Sequence, residues 1–445
     1  MPYHLPTGQD SHAIRGHIVT LTGDPFFSSD ALVEHTDGLI VVQGGVITAV
    51  GPWADLKDAI PDDVPVDHYP DGLITSGFID THVHYVQTGI IAAFGAQLID
   101  WLNTYTFVAE QKFEDADYAA RVASVFFDQL LANGTTTALT FCAVYPQSVD
   151  AFFEEATKRN MRMVGGKVMM DRNAPEHLLD TAQTSYDDSK ALIERWHGTG
   201  RNLYAVTPRF APTSTPEQLA AASALLQEHP TTLMHTHVSE NLGEIAWVRS
   251  LFPESKGYLD VYDRAGLLRP GSVLAHGVHL NPQERIRVHE TGAAISHCPT
   301  SNLFLGSGLF HVHQAKNHTH PMKVGLGTDI GAGTSFSLLS TMNEAYKVAQ
   351  LTQYPLDSIK MLYLATLGGA ESLGLEGELG SIEPGKTADL VVLDKKATPL
   401  LEFRSGQVTS LEEQLFVLAV MGDDRTIETT FIAGEVAYSR DGHEH

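Results

Sequence analysis

Leu73-Ile74-Thr75-Ser76-Gly77-Phe78-Ile79-Asp80-Thr81-His82-Val83-His84 is an apolar run that ends in two histidines one residue apart. In a β-strand, side chains at positions i and i+2 point to the same side. His82 and His84 therefore direct two imidazoles the same way from the carboxyl end of a strand. Neutral imidazoles on a rigid strand suit a divalent transition metal, most commonly zinc. The chain has 22 histidines, so the pair predicts a metal site only if other segments supply further ligands.

The composition is that of a globular protein with a sizeable core. The chain has 445 residues, of which 43% are hydrophobic and 19% charged. Its 29 basic and 54 acidic residues give a net charge of −25, which argues against a nucleic-acid partner because phosphate binding needs a basic field. No apolar run reaches 18 residues, so we expect no membrane contact. Two cysteines, Cys142 and Cys298, fit a reducing compartment, and we expect a cytoplasmic protein.

The middle of the chain alternates strand-like and helix-like stretches. After the opening strand, apolar strand-like runs recur at 136–142, 162–170, 203–210, 232–240, 272–280, 292–297 and 322–330. The helix-like stretches between them include 116–132, 216–228, 240–251 and 282–290. This alternation implies parallel strands joined by right-handed crossovers, and eight such units predict an α/β fold of the (β/α)8 barrel type. An open doubly wound sheet is the alternative, disfavoured because no Gly-x-Gly-x-x-Gly follows a strand.

The two ends of the chain have a different sequence pattern, which predicts short strands joined by tight turns. Strand-like runs occupy 17–22, 38–42 and 46–50 near the start, and 388–394, 429–432 and 435–438 near the end. Gly44-Gly45 is a hairpin signal between two of them. We therefore predict that residues 1–76 and 376–445 build one small β-sandwich domain, and that residues 77–375 form the barrel.

The active-site residues of such a barrel lie at the carboxyl ends of its strands. His237 closes the fifth apolar run, His276 the sixth and Asp329 the eighth. Together with His82 and His84, these residues predict one metal site at the mouth of the barrel. Asp329 has a second interpretation, as a turn residue of Gly-Thr-Asp-Ile-Gly.

Other histidines have more ordinary interpretations. His235 points the same way as His237 but lies deeper, so we predict a hydrogen-bonded interior histidine. His297 also ends a strand and is either close to the metal site or purely structural. The histidines at 311, 313, 318 and 320 fall in a loop-like stretch, which we interpret as a solvated loop rather than a second metal site. No lysine closes the fourth strand and Lys167 lies within the third run, which favours one metal ion over two.

Four more side chains are candidates for the chemistry and for a ring substrate. Glu240 can lie over the metal without ligating it and pass on a proton. An N-cap or first-turn glutamate of the next helix is also consistent, and both can hold at once. Arg209 at a barrel mouth can bind two neighbouring acceptors, such as O6 and N7 of guanine. Phe210 can stack on a flat ring, the alternative for this pair being a surface arginine beside a core phenylalanine. Gln87 can hydrogen-bond an amide-like base edge.

The chain resembles the guanine deaminases of the amidohydrolase superfamily over almost its whole length. The resemblance rests on residues 77–87, 100–107, 133–137, 207–210, 236–241, 275–277, 297–302 and 325–329. It implies one zinc ion per subunit, held by His82, His84, His237 and Asp329, with His276 as a further ligand or a contact of the activated water. It also implies a homodimer.

The resemblance further implies roles in catalysis and substrate binding. Glu240, His276 and Asp329 are the implied catalytic groups, with Glu240 as the proton carrier. Gln87, Arg209, Phe210 and His237 are the implied guanine contacts. The implied reaction is hydrolysis of guanine to xanthine and ammonia in purine catabolism.

Two alternatives remain beside this function. The same metal site serves related enzymes that act on another ring, such as 8-oxoguanine, a pterin or a triazine, and only the pocket decides between them. The more remote alternative is a catalytically silent relative that serves as a binding or scaffold protein. Such a relative is expected to have lost metal-facing residues, whereas all five of them and Glu240 are present in this chain.

Overall fold

The structure, a computed structural model, describes residues 11–61, 64–94 and 98–442. The strands in these ranges are β1 (Ser11–Leu21), β2 (Leu32–Gln43), β3 (Val46–Pro52), β4 (Val66–Ser76), β5 (Phe78–His84), β6 (Thr135–Phe141), β7 (Arg162–Gly166), β8 (Val168–Met169), β9 (Leu203–Pro208), β10 (Leu233–Val238), β11 (Ser272–His276), β12 (Ala294–His297), β13 (Lys323–Leu326), β14 (Leu390–Asp394), β15 (Ile427–Ile432) and β16 (Glu435–Ser439).

The α-helices in the same ranges are α1 (Trp53–Leu56), α2 (Leu98–Trp101), α3 (Phe107–Glu110), α4 (Ala116–Ala132), α5 (Pro146–Lys158), α6 (Ala182–Trp196), α7 (Pro216–Glu228), α8 (Leu242–Leu251), α9 (Tyr258–Arg264), α10 (Pro282–Thr291), α11 (Pro299–Phe304), α12 (Val312–Ala315), α13 (Leu338–Leu351), α14 (Ser358–Ala365), α15 (Leu367–Leu373), α16 (Pro399–Ser405) and α17 (Leu411–Met421). No helix in the described part of the chain combines the length and the apolar character needed to span a bilayer.

The predicted (β/α)8 barrel is confirmed. Its strands lie in the order β5, β6, β7, β9, β10, β11, β12 and β13, and each neighbouring pair is parallel. The main chain closes the ring between the first strand and the segment after the last one. There, Asp329 N donates to His82 O at 2.8 Å and His84 N donates to Ile330 O at 2.9 Å. This closure brings the carboxyl ends of all eight strands to one rim.

The opening apolar stretch is two strands rather than one. β4 ends at Ser76 in the sheet of the chain ends, where it pairs with β1 and β14, whereas β5 begins at Phe78 and pairs with β6. Gly77 lies between them, and a Cβ placed on it would be only 2.2 Å from Oγ1 of Thr136. The backbone therefore needs glycine at the point where it passes from the smaller sheet into the barrel.

The strands of the two chain ends build one β unit, as predicted. Seven of them form a sheet in the order β16, β15, β14, β4, β1, β2 and β3. The sheet curls so that the turn before β3 meets the segment before β14, where Ala388 N donates to Gly45 O at 2.9 Å. Inside the curl lies a buried apolar cluster that includes Ile14, Ile40 and Leu390.

The helices of the C-terminal segment belong to the barrel side rather than to this β unit. α17 packs against α13 and α14 and buries Leu415 and Leu418 in the main core. The boundaries predicted for the two domains, at 76/77 and 375/376, stay a prediction. Residues 1–10, 62–63, 95–97 and 443–445 of that prediction lie outside the described ranges.

Candidate active site

Five polar side chains from four strand ends converge at the rim of the barrel. Nε2 of His84 lies 3.3 Å from Nε2 of His82 and 3.3 Å from Nε2 of His237. Oδ1 of Asp329 lies 3.1 Å from Nε2 of His82, and its Oδ2 lies 3.8 Å from Nε2 of His276. The structure therefore brings together the five residues that the sequence proposes as metal ligands.

The convergent atoms fit a divalent metal ion. The ligand atoms of His82, His84 and His237 all lie within 4.8 Å of one another, and so do those of His82, His276 and Asp329. Around a tetrahedral zinc ion with Zn–N bonds of about 2.0–2.1 Å, neighbouring ligand atoms are about 3.3 Å apart. Burial lowers the pKa of His82, His84 and His237, that of His84 to about 3, which favours the neutral form that ligands need. A set of histidines with one carboxylate is typical of zinc sites.

The backbone turns sharply where the strands deliver these ligands. His276 has a φ of 73° and Asp329 a φ of 53°, both in the left-handed region that residues other than glycine rarely adopt. Gly327 leads into Asp329, and a Cβ placed on it would lie 2.9 Å from Cβ of His82 and 2.5 Å from Oγ of Ser296. These turns direct the side chains of His276 and Asp329 towards the other candidate ligands, and they leave local strain in the backbone.

A second layer of contacts orients three of the candidate imidazoles. Nδ1 of His82 lies 2.8 Å from Nε2 of His235, which confirms the predicted hydrogen-bonded interior histidine. Nδ1 of His237 donates to the main-chain carbonyl of Arg209 at 2.7 Å. Nδ1 of His276 lies 2.9 Å from Oδ1 of Asn302. In each case the partner leaves Nε2 facing the centre, as ligating histidines require.

Glu240 lies beside the cluster and outside the helix that follows it. α8 begins at Leu242, capped by Asn241, which exchanges main-chain and side-chain hydrogen bonds with Glu244. The predicted helical start at residue 240 and the first-turn interpretation of Glu240 are therefore wrong. The carboxylate turns inward instead, with Oε2 3.4 Å from Nε2 of His276. Its Oε1 accepts a hydrogen bond from Oγ of Ser307 at 2.9 Å.

The two carboxylates of the site have opposite protonation tendencies. Burial raises the pKa of Glu240 to about 8, and the negative charge of Asp329 adds to the rise, while Ser307 opposes it. Burial alone would also raise the pKa of Asp329, but His82 and His84 hold it well below its usual range. Neighbouring groups whose pKa values are pushed apart in this way are typical of acid–base pairs in active sites. Asp329 lies in a turn, with its φ of 53°, and its side chain faces the cluster, so both interpretations of this residue fit the structure.

A cleft opens beside the cluster. The residues that line it are His84, Gln87, Leu98, Trp101, Leu102, Arg209, Phe210, His237, Glu240, His276, Leu305, Asp329 and Ala332. The ring contacts proposed from the sequence all belong to this set. Arg209 is only 2% exposed, so its alternative interpretation as a surface arginine is wrong.

One wall of the cleft comes from residues within the aromatic-rich segment 88–115, for which the sequence leaves open whether it covers the pocket or builds a dimer contact. One buried acid of this segment was not assigned a role from the sequence. Leu98, Trp101 and Leu102 line the cleft from a segment of short helices that follows β5. Glu110 ends that segment and makes a buried ion pair with Arg209, at 2.8 Å from Oε2 to Nη1. Within this segment, residues 100–107 also contribute to the family resemblance.

The remaining sequence candidates lie outside the cluster. His297 is buried and its ring packs on Phe310 with 4.8 Å between centroids, without joining a ligand group. Lys167 is paired with Asp180 rather than with the site. Within the described residues, the histidines at 311, 313, 318 and 320 belong to no group that could hold a metal.

Comparison with known proteins identifies the family and the relatives of this chain. The model of the Amidohydrolase family matches residues 73–437. The chain is 52% identical to the guanine deaminase of Escherichia coli K12 over 96% of this chain and 98% of that protein. The solved structure of E. coli guanine deaminase matches with a TM-score of 0.93 over 97% of this chain and 99% of that one. The guanine deaminase of C. acetobutylicum, solved with guanine bound in its active site, is 28% identical, with a TM-score of 0.86 over 96% of this chain and 100% of that one.

Proposed function

On the premise that the chain belongs to the amidohydrolase family, we propose that it is a guanine deaminase, which hydrolyses guanine to xanthine and ammonia. The observation that carries the proposal is one buried cleft that joins the cluster of candidate metal ligands, the carboxyl group of Glu240 and the pair Arg209 and Gln87. The similarity to guanine deaminases over nearly the full chain supports the same conclusion.

We propose that the cofactor is one zinc ion per subunit. His82, His84, His237 and Asp329 would hold it, with His276 as a further ligand or a contact of the attacking water. When bound, zinc acts as a Lewis acid that makes a water molecule nucleophilic at neutral pH. The stoichiometry is supported by Lys167, which pairs with Asp180 and so supplies no bridge to a second ion.

The cleft offers complementary groups to a flat, neutral purine. Arg209 is suited to bind O6 and N7 of guanine, and Gln87 lies beside it for an amide-like edge of the ring. Phe210 is buried in the same wall and offers an apolar face. This placement leaves C2 of the ring to face the metal-type cluster and Glu240.

Glu240 is positioned to carry the proton. Ser307 donates to Oε1, which leaves Oε2 to face His276. With its pKa raised to about 8, the Glu240 carboxyl holds a proton near neutral pH and can pass it to N3 of guanine as water adds to C2. The Glu240 carboxylate then accepts the proton of the attacking water and delivers it to the amino group, which leaves as ammonia. As the C2–N bond breaks, the remaining hydroxyl proton returns to Glu240, which restores its carboxyl group and leaves xanthine. Asp329, whose carboxylate stays ionised, favours the removal of the proton of the attacking water.

We also propose that the enzyme is a cytoplasmic homodimer of purine catabolism. Both cysteines are buried free thiols, which supports a reducing compartment. The homodimer and the pathway rest on the family resemblance. Light scattering tests the dimer, since a mass equal to one chain contradicts it.

A panel of ring substrates tests the proposed function against its alternatives. Ammonia release is measured from guanine, 8-oxoguanine, a pterin and a triazine with the zinc-loaded protein. Guanine is expected to have the highest kcat/KM. A faster reaction with another ring contradicts the assignment, and no turnover with any of them favours the scaffold alternative.

A further inference from the structure

Glu110 joins the two side chains that we propose to contact the ring. It ends α3, is fully buried, and its Oε1 lies 3.1 Å from both Nη1 of Arg209 and Nε2 of Gln87. We infer that Glu110 is the positioning and selectivity residue of the ring pocket. It fixes the guanidinium and the amide in one arrangement, and it cancels the charge of Arg209 so that the cleft prefers neutral rings to anionic ones. The inference rests on the proposed function, because it takes Arg209 and Gln87 to be ring contacts.

Glu110 determines which way the amide of Gln87 faces. A carboxylate only accepts hydrogen bonds, so Gln87 has to direct Nε2 towards Glu110. Its Oε1 then accepts from the main-chain N–H of Gly331 at 3.0 Å. The amide is held from both ends, with one N–H and one lone pair left for a ligand in the cleft.

The guanidinium of Arg209 is fixed in the same way. Nη1 donates to both carboxylate oxygens of Glu110, at 2.8 and 3.1 Å. The ring of Phe107, one turn earlier on α3, lies 5.5 Å from the guanidinium carbon. Among the residues that the structure describes, Nε and Nη2 of Arg209 have no acceptor. Because the guanidinium is planar, this leaves two donors at defined positions for a ring with two neighbouring acceptors.

The ion pair also sets the charge of the pocket. Arginine stays protonated in proteins, and a buried, unpaired cation would favour an anionic ligand. Paired with Glu110, Arg209 offers hydrogen bonds without a net charge. Guanine is neutral in neutral solution, whereas xanthine loses a ring proton in mildly alkaline solution. Charge cancellation by Glu110 therefore favours the substrate and disfavours retention of the anionic product.

Two substitutions separate these roles. Glu110→Gln keeps the length of the side chain but removes its charge. Glu110→Asp keeps the charge but withdraws the carboxylate by one methylene, so that it cannot span Arg209 and Gln87 together. Both variants are expected to raise the KM for guanine about 10–100-fold, with a smaller change in kcat and with zinc content unchanged.

Inhibition by xanthine distinguishes these roles from a purely structural one. A change in stability alone would not alter the affinity for anionic xanthine relative to neutral xanthine. The inhibition constant is measured at a pH at which xanthine is neutral and at one at which it is an anion, each time beside the wild-type enzyme. Relative to wild type, Glu110→Gln is expected to raise the affinity for anionic xanthine over that for neutral xanthine about tenfold or more. Glu110→Asp is expected to keep the wild-type preference.

Asp180→Asn is the matched control, because Asp180 also pairs with a buried cation, Lys167, outside the cleft. It is expected to lower the unfolding temperature without changing the KM for guanine or the xanthine preference. All kinetics are measured below the lowest unfolding temperature in the set. The inference is wrong if both Glu110 variants keep the wild-type KM and xanthine preference, or change them no more than Asp180→Asn does. A wild-type protein that releases no ammonia from guanine contradicts the proposed function instead.

Discussion

Nδ1 of His82 lies 2.8 Å from Nε2 of His235, so a deeper histidine holds the ring of the first candidate ligand. Because Nε2 of His82 faces His84 and Asp329, the proton of its ring belongs on Nδ1 and is donated to His235. His84 differs, since its Nδ1 has no partner within the described residues and its ring stacks on Phe141 at 4.5 Å. The candidate centre thus depends on side chains that do not face it directly.

His235→Leu is predicted to weaken metal binding about 10–100-fold, because a leucine of similar volume cannot accept the proton of His82. Competition with a chelator of known zinc affinity measures the change. His313→Leu, which alters a histidine outside the cluster, serves as the control and is expected to bind zinc like the wild type. Equal zinc affinity in His235→Leu and wild type would show that His235 does not orient the ligand.

Removal of the metal with a chelator is predicted to abolish guanine turnover, and added zinc to restore it. The metal is also expected to stabilise the fold, because an ion that binds only the native state adds about 4 kcal/mol at a thousand times its Kd. Thermal unfolding with and without zinc measures this effect. Full activity of protein shown to contain no metal would be incompatible with the proposed centre.

Arg209→Ala is predicted to raise the KM for guanine about 10–100-fold and to keep the zinc. The metal is expected to stay because His237 is held by the main-chain carbonyl of Arg209, which the substitution preserves. The variant is also expected to lose about 3–5 kcal/mol of stability, since Glu110 remains as an unpaired buried charge. Arg195→Ala, at an exposed ion pair, is the control. Loss of zinc in Arg209→Ala would contradict the assigned role.

Ser307→Ala is predicted to lower kcat about tenfold without loss of zinc. Ser307 is the donor that fixes Oε1 of Glu240, and a hydrogen bond to a buried carboxyl group contributes about 1–2 kcal/mol. Ser301→Ala is a matched control, because the Oγ of Ser301 is buried and has no hydrogen-bond partner in the described part of the chain. Equal kcat values in the two variants would show that the Ser307 contact does not position Glu240.

Local patterns in the sequence were sufficient for the barrel and for the order of its strands, although the predicted runs 272–280 and 322–330 extend past the ends of β11 and β13. The alternation of His82 and His84 on one strand places two imidazoles on one side, and His237, His276 and Asp329 each close a separate apolar run. In a closed parallel barrel, such positions meet whatever the details of packing. The roles of these residues as ligands and acid–base groups remain predictions that the experiments above test.

The parts that were not predicted depend on packing between distant segments. The segment that forms the cleft wall has no regular period, since a π-helical turn, Leu102–Thr106, lies between two short helices. The role of Glu110 depends on its ion pair with Arg209, which lies 99 residues further along the chain. The apolar run around Gly77 reads as one strand because no change of hydrophobicity marks the passage between two sheets.

The most direct test of the proposed mechanism compares zinc-loaded wild-type protein with zinc-loaded Glu240→Gln. Xanthine and ammonia formed from guanine are measured together with the zinc content of each protein. The wild type is predicted to form both products in equal amounts, and the variant to keep its zinc while its kcat falls about 10²–10⁴-fold, the contribution typical of a proton-transfer group. Near-normal turnover by Glu240→Gln, or no xanthine from the wild type, would contradict the proposed mechanism.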